Sequence, residues 1–337
     1  MNRIPIVVGL DYHTHSVQVA IMKASDTPQL LANESLPNDP LAIQRFVESF
    51  GTVQRCGIEA CTGAADLAEQ LLVRAGWPVD LAHPGIASRM KHNPDKSNYA
   101  DSRILADLAR VGYLPKVWLA PAYLRELRLV VRDRTNLARQ RRRIRQQIGA
   151  LLREHRLTSP HRRWSRPWLL WLKDVALPAP SRWLVERQQE RLQYVAAEIT
   201  RVEAYLTEIT CADPLVQRLR SLRGIGAVTA WILRAFVGSF ERFKNGKQLA
   251  RYCGLSPRNA SSGTRQADAG LVRLANADLR SALIEVAWCL IRYSPRWKAL
   301  AQRLRAHGKP GSVVAAAVAN RFVRSLWSHM KTAPGPR

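Results

Sequence analysis

Asp11 sits in the apolar alternating run Ile6-Val7-Val8-Gly9-Leu10-Asp11, and Glu59 closes a second such run, Gly57-Ile58-Glu59. Asp101 opens the helical segment Ala100-Asp101-Ser102-Arg103-Ile104-Leu105. A carboxylate within a buried strand is costly unless a cation or hydrogen bonds compensate it. Three such carboxylates from separate elements point to a hard cation of the Mg²⁺ type, held by protein oxygens. Asn98, three residues before Asp101 and on the same helix face, offers a further oxygen. Acids arranged this way suit phosphodiester chemistry, activating a nucleophile and stabilising the leaving oxygen. Asp11 carries the argument, because Glu59 or Asp101 alone is equally an ordinary cap or surface acid. His13 and His15 could assist, although the same positions suit exposed turn histidines.

A second stretch with chemical potential is Gly254-Leu255-Ser256-Pro257-Arg258-Asn259-Ala260-Ser261-Ser262-Gly263-Thr264-Arg265, read as a loop after a helix. It sets tandem serines before a glycine, with Arg258 and Arg265 nearby. A serine that attacks phosphate needs access, cations to stabilise the charge that develops, and a group to take its proton. Taken alone, the segment is also a turn of small residues with capping serines.

The elements that must position these groups differ sharply in charge. Residues 1–120 hold 11 Lys/Arg and 12 Asp/Glu, a net of −1; residues 121–337 hold 41 and 14, a net of +27. The first part reads as a catalytic body and the second as the footprint of a polyanion. The dominance of arginine, whose planar fork matches phosphate, favours nucleic acid over a membrane surface. Five scattered cysteines without CxxC spacing indicate neither a disulfide framework nor zinc. No apolar run is long enough to span a membrane, and the N-terminus enters a strand without a signal-peptide core, so a cytoplasmic protein is expected.

Strands are predicted over 4–11, 16–23, 30–36, 53–59 and 78–83, the first two forming a hairpin, with helices near 39–50 and 63–75. This order is that of a ribonuclease-H-like α/β layer fold. From Pro121 the texture changes. A long helix is predicted over 122–156, with Val130, Leu137, Ile144 and Leu151 spaced by seven. The return arm over 181–210 places Leu192, Val195, Ile199, Val202, Leu206 and Ile209 at steps of three and four, so the two arms read as a coiled coil. Residues 125–166 contain 14 Arg against 3 acids. That imbalance marks Arg141, Arg142 and Arg143 on the arm, and Arg162 and Arg163 at its tip, as nucleic-acid contacts. Trp164, Trp168 and Trp171 either stack on unpaired bases or pack the tip. A mostly helical unit follows, opening Leu222-Arg223-Gly224-Ile225-Gly226-Ala227. Gly224 and Gly226 fit a helix-hairpin-helix turn whose N–H groups cradle phosphate, or simply allow close helix packing. The expected division is 1–120, a catalytic domain; 121–212, a basic coiled-coil connector; 213–330, a C-terminal domain; and 331–337, a disordered tail.

Taken in order, Asp11, Gly57-Ile58-Glu59-Ala60, Lys96-Ser97-Asn98-Tyr99-Ala100-Asp101-Ser102 and the Gly224-to-Gly263 segment resemble the DEDD transposases of bacterial insertion sequences, the "IS-one-ten" type. The resemblance covers essentially the whole chain. It implies a RuvC-like domain, a coiled-coil connector and a C-terminal transposase domain carrying a serine nucleophile. It implies that Asp11, Glu59 and Asp101 match three of four Mg²⁺-binding acids, with Asn98 at the remaining position. Asparagine offers a carbonyl oxygen without charge, which weakens the site. The resemblance places the catalytic serine at Ser262, before Gly263, with Ser261 the adjacent alternative. It further implies a phosphoserine intermediate with double-stranded target and donor DNA, and a structured bridge RNA as guide. It implies a homo-oligomer, a tetramer built from dimers, acting in the bacterial cytoplasm at the nucleoid. Two rival functions stay open: a junction nuclease that uses water, and a nucleic-acid-binding protein on a decayed catalytic scaffold.

Overall fold

The computed structural model describes residues 4–90, 97–259, 268–272 and 275–332. The chain divides into two compact units, Met1–Ala122 and Tyr123–Arg337.

The first unit is built on β1 (Pro5–Tyr12), β2 (Ser16–Lys23), β3 (Leu30–Pro37), α1 (Pro40–Glu48), β4 (Thr52–Glu59), α2 (Ala64–Ala75), β5 (Val79–Ala82), α3 (Pro84–Met90), α4 (Asn98–Arg110) and β6 (Lys116–Val117). Its six strands pair in the order β3-β2-β1-β4-β5-β6. β1 runs antiparallel to β2 and parallel to β4, and β4 runs parallel to β5. The five longer strands fall where alternation predicted them. β6 was not predicted, since two residues carry no readable period; it pairs antiparallel at the edge of β5, beside an ion pair from Lys116 to Asp80 at 2.5 Å.

One face of the sheet buries Ile6, Val8, Leu10, Val17, Val19, Ile21 and Ile58 against α1 and α2, through Ile43, Val47, Leu67 and Leu71. α4 lies on the opposite face, and glycines set how close it comes. A Cβ on Gly9 would stand 2.1 Å from the Ser102 carbonyl oxygen and 2.3 Å from the Ala106 nitrogen, and one on Gly57 would stand 3.2 Å from the Leu105 oxygen. Only glycine permits that backbone contact at Gly9.

The second unit begins with α5 (Ala122–Glu154), α6 (Arg166–Asp174) and α7 (Ala179–Thr210). α5 and α7 lie antiparallel. Ile144, Ile148 and Leu152 pack with Val185, Val195 and Ile199, while Arg134 pairs with Glu203 at 2.6 Å further along. The predicted seam is only partly the buried one. The buried positions of α5 run Leu124, Leu127, Val131, then Ile144, Ile148 and Leu152, and Ile209 on α7 is 45% exposed. Between Val131 and Ile144 no residue of α5 is fully buried, which matches the arginine density of that stretch.

The remainder comprises α8 (Pro214–Arg220), α9 (Ala227–Val237), α10 (Gly246–Tyr252), β7 (Pro257–Asn259), β8 (Asp268–Leu271), α11 (Ala277–Tyr293), α12 (Pro295–Ala306) and α13 (Gly311–Thr332). β7 and β8 pair antiparallel, so Pro257, Arg258 and Asn259, expected in a loop, belong to a strand. α9 is apolar and almost wholly buried, so its last carbonyls need donors that water cannot supply. Arginines and a tyrosine supply them. Arg128 Nε donates to the Ala235 oxygen at 2.7 Å, Tyr252 Oη to Phe236 at 2.7 Å, Arg242 Nε to Val237 at 2.8 Å and Arg234 to Gly238 at 3.0 Å. The cations also sit favourably at the negative end of the helix dipole.

Candidate active site and nucleic-acid interface

Asp11 and Glu59 end the two central strands of the sheet. Because Leu10 pairs with Ile58 in parallel register, the two acids occupy the next rung together. Side chains alternate along a strand, so Asp11 shares the face of Gly9 and Glu59 that of Gly57, which is the face covered by α4. α4 runs antiparallel to β1. Its Ala106 packs with Ala20 and Met22, and its last residue, Arg110, donates to the Ser25 and Asp26 carbonyls beyond β2, both at 2.8 Å. Its first turn therefore reaches the C-terminal edge of β1 and β4, bringing Asn98 and Asp101 to the edge where Asp11 and Glu59 lie.

A polar network that sequence reasoning missed fixes that first turn. Ser102, fully buried, donates to Asn33 Oδ1 and to the Tyr99 carbonyl, each at 3.1 Å. Asn33 donates to the Tyr99 carbonyl at 2.9 Å and accepts from Gln18 Nε2 at 2.8 Å. Gln18 is the register partner of Asp11 on β2. The only sequence signal for this clamp is a Gln and an Asn on strands next to a helix-opening serine. Ser97 caps α4 by accepting from the Ala100 nitrogen at 3.1 Å, and Asp101 in that first turn faces the positive end of the helix dipole.

The field at the edge is negative. The Cys61 thiol, two residues beyond Glu59, has its pKa pushed up, first by partial desolvation and then by the carboxylates of Glu59 and Asp11. His13 is an exposed turn residue, and it comes within 3.2 Å of Asp11, whose side chain is 15% exposed. Asp11, Glu59, Asp101 and the Asn98 amide all carry oxygen donors, the kind a hard cation takes. As they stand, no three His, Cys, Asp or Glu side chains among the described residues are grouped closely enough to hold a metal.

Ser261, Ser262 and Arg265 lie outside the described residues. Arg258, on β7, is exposed. Gly224 has a φ of +90°, and a Cβ there would stand 3.0 Å from Leu290 Cδ2, so that glycine serves backbone conformation and close packing on α11. Gly226 precedes α9 with open space around its Cα, and α9 has no side-chain N-cap bond.

The arginines of the basic arm divide into two sets. Arg128 and Arg132 lie over the Phe236 ring at 5.9 and 5.7 Å, Arg134 pairs with Glu203, and Arg139 pairs with Asp278 on α11. Arg145 covers the Trp164 ring at 4.8 Å, its pKa lowered by desolvation and then by Arg141. These arginines are structural. Arg142, Arg143, Arg162 and Arg163 are exposed and Arg141 is half-buried; among the described residues none of the five is in an ion pair. The tip tryptophans pack on one another, with Trp164 and Trp168 at 4.6 Å and Trp168 and Trp171 at 6.2 Å between ring centroids. Trp168 is 2% exposed and has no face for a base.

A mixed sheet with acids at the ends of its two central strands, and a helix bringing further oxygen donors to that edge, defines a ribonuclease-H-like domain of the DEDD type. Comparison with known proteins carries this further. The IS110-type DEDD transposase profile matches residues 8–156, and the profile described as the transposase IS116/IS110/IS902 family matches residues 216–302. A Sinorhizobium fredii protein whose name places it among transposases is 29% identical over 314 residues, covering 85% of this chain and 77% of that one. The transposase for insertion sequence element IS1111A of Coxiella burnetii is 27% identical over 241 residues, 70% of this chain and 65% of that protein. The transposase for IS1328 of Yersinia enterocolitica is 24% identical over 286 residues, covering 80% and 81%. The chain belongs to the IS110 family of DEDD transposases and is an enzyme that acts on DNA. No helix among the described residues is long and apolar enough to cross a membrane.

Proposed function

We propose that this transposase cleaves and rejoins DNA at the ends and target of its insertion sequence through a covalent serine intermediate, guided by a structured RNA. The observation that carries the reading is the pairing of Asp11 and Glu59 on one rung beneath the helix that bears Asn98 and Asp101. These four residues would hold Mg²⁺, which when bound would polarise the scissile phosphate and stabilise charge on its leaving oxygen. The Gln18–Asn33–Ser102 clamp holds α4 so that its donors keep their place. Ser262 would supply the nucleophile: its Oγ loses its proton and bonds to phosphorus, one phosphodiester P–O bond breaks, and that proton ends on the released strand oxygen. Rejoining reverses the exchange on a new strand end. Arg258 and Arg265 would steady the phosphate charge.

The second unit would grip the nucleic acids. Arg141, Arg142, Arg143, Arg162 and Arg163 would lie along phosphates of DNA or of the RNA, on a coiled-coil connector spanning 121–212. Gly224 and Gly226 would form a helix-hairpin-helix-like contact at the start of a C-terminal domain, 213–330. A tetramer built from dimers would let the acids of one protomer meet the serine of another, with sequence choice left to base pairing.

The test is a covalent adduct. With cognate RNA and DNA, a protein–DNA species should survive denaturation and map by peptide mass to the segment holding Ser261 and Ser262. It should vanish in Ser262→Ala and persist in Ser261→Ala; the reverse moves the nucleophile by one residue. Cleavage without any adduct would assign the chemistry to water. Asn98→Asp adds a charged oxygen and should lower the Mg²⁺ concentration needed for half-maximal activity; no change would remove Asn98 from the ligands.

A further inference from the structure

Residues 286–337 contain ten Lys/Arg and not one Asp or Glu. Four of those arginines converge. Arg296 and Arg303 on α12, with Arg321 and Arg324 on α13, line a cavity of about 530 Å³ together with Trp297 and Leu300. Arg296 and Arg303 are seven residues apart, so they lie on the same face two turns along α12, roughly 10 Å from end to end. Arg321 and Arg324 are one turn apart on the facing helix. All four arginines are exposed, and among the described residues none has an acidic partner.

Four guanidinium groups around one cleft repel each other, and nothing on either helix offsets that repulsion, which is what a site awaiting an anion requires. The cleft is also rigid. Trp297, in its lining, packs against the buried Phe322, with ring centroids 6.2 Å apart. α13 is locked to its neighbours. Trp327 Nε1 donates to the Phe243 carbonyl at 3.2 Å, and Asn320 to the Leu255 carbonyl at 3.1 Å. A Cβ on Gly246 would stand 2.8 Å from the Arg324 Cα, so α10 presses on the backbone beneath that arginine. Trp297 is 8% exposed and offers no free ring face for stacking a base. Without a stacking platform, what the cleft offers a nucleic acid is cationic contact of the kind that holds phosphates.

We infer that the α12–α13 arginine cleft is a binding site for the phosphodiester backbone of a nucleic acid, separate from the arginines of the α5–α6 tip. The inference rests on the reading of this chain as a nucleic-acid enzyme and adds a second point of grip. Asn320 and Arg321 are consecutive, so the helix that presents the cleft is also bonded to Leu255, two residues before β7 and the serine segment. A strand held there is fastened to the same scaffold that carries the proposed nucleophile.

The experiment measures the salt dependence of binding by the full chain to a duplex DNA and, separately, to a single-stranded RNA of the same length. Arg303→Ala with Arg324→Ala should reduce the slope of log K against log salt by about 1.8 on duplex DNA, or about 1.4 on single-stranded RNA. The arm that changes identifies which nucleic acid occupies the cleft. Arg303→Lys with Arg324→Lys keeps the charge and should restore the slope. Lys298→Ala with Arg305→Ala removes the same charge from residues outside the cleft and should change it little. Equal losses in the cleft and control pairs, or no loss on either nucleic acid, overturn the inference. Charge reversal at Arg141, Arg142 and Arg143 is run alongside. If that reversal flattens the slope while the cleft variant does not, only the cleft fails; if neither does, the nucleic-acid reading of the basic unit fails with it.

Discussion

The two units treat charge in opposite ways. In the sheet unit, acids and bases nearly cancel, and a few carboxylates stand where burial makes charge expensive. In the helical unit, cations exceed acids by 27 and stand almost everywhere. The scarce charges are the informative ones. Asp11 could be singled out because nothing about a β-strand asks for an acid at its buried end, and the structure places it beside Glu59 under α4. An arginine in the second unit says little by its presence alone. Arg128, Arg234 and Arg242 satisfy the last carbonyls of α9, whereas Arg142 and Arg143 face solvent. What separates them is whether a buried acceptor lies within reach, and composition does not report that.

The largest effect tests the sheet edge. Asp11→Ala should bring strand exchange to background while the thermal melting curve keeps its cooperativity, because the substitution removes a costly charge and no core volume. Unchanged exchange would end the reading of the edge as the catalytic centre. Next in size is the basic unit. Six or more neutralised phosphates make affinity fall about 10³-fold or more between 50 and 200 mM salt. Glutamates at Arg141, Arg142 and Arg143 should flatten that dependence; a salt-insensitive complex would place recognition elsewhere.

A smaller effect separates the two kinds of arginine directly. Arg128→Ala strips a charged donor from the Ala235 carbonyl and should cost about 1.5–3 kcal/mol of stability. Arg142→Ala touches no buried group and should stay within about 0.5 kcal/mol. Binding should show the reverse ranking, with Arg142→Ala weakening binding at low salt and flattening its salt dependence, and Arg128→Ala leaving both near the parent once refolded protein is compared. If both substitutions destabilise equally, the division into structural and free arginines is wrong.

The contrast also explains what the sequence could deliver. Strands of eight residues with period two, such as Pro5–Tyr12 and Ser16–Lys23, announce themselves, and their order gives the fold class. The acids at their ends followed from the cost of burial. The Gln18–Asn33–Ser102 clamp did not, because its members are 15 and 69 residues apart and each is unremarkable alone. The seam of α5 was misplaced in part: its buried positions step Leu124, Leu127, Val131 and then Ile144, Ile148, Leu152, with none fully buried between, so no single seven-residue repeat describes it.

The smallest effect reads the acidic edge without asking for activity. Cys61 is exposed, and its pKa is raised by desolvation and then by the fields of Glu59 and Asp11. A raised pKa means less thiolate at a given pH, and the thiolate is the species that alkylates. Asp11→Asn and Glu59→Gln each remove one field, so each should lower the Cys61 pKa and speed its alkylation by iodoacetamide near pH 8 in metal-free buffer. The double variant should be faster than either single one. The change should be a few-fold only, because desolvation, the first cause, is untouched. Cys211 and Cys289, exposed but in the other unit, serve as internal references and should react at the parent rate. Peptide mass spectrometry after a timed quench reports all three sites in one sample. Faster labelling at Cys61 alone locates both carboxylates at the same edge by their charge. Equal labelling in parent and variants would mean that the two acids, although neighbours in register, do not direct their charge to a common point, and a shared cation between them would lose its electrostatic basis.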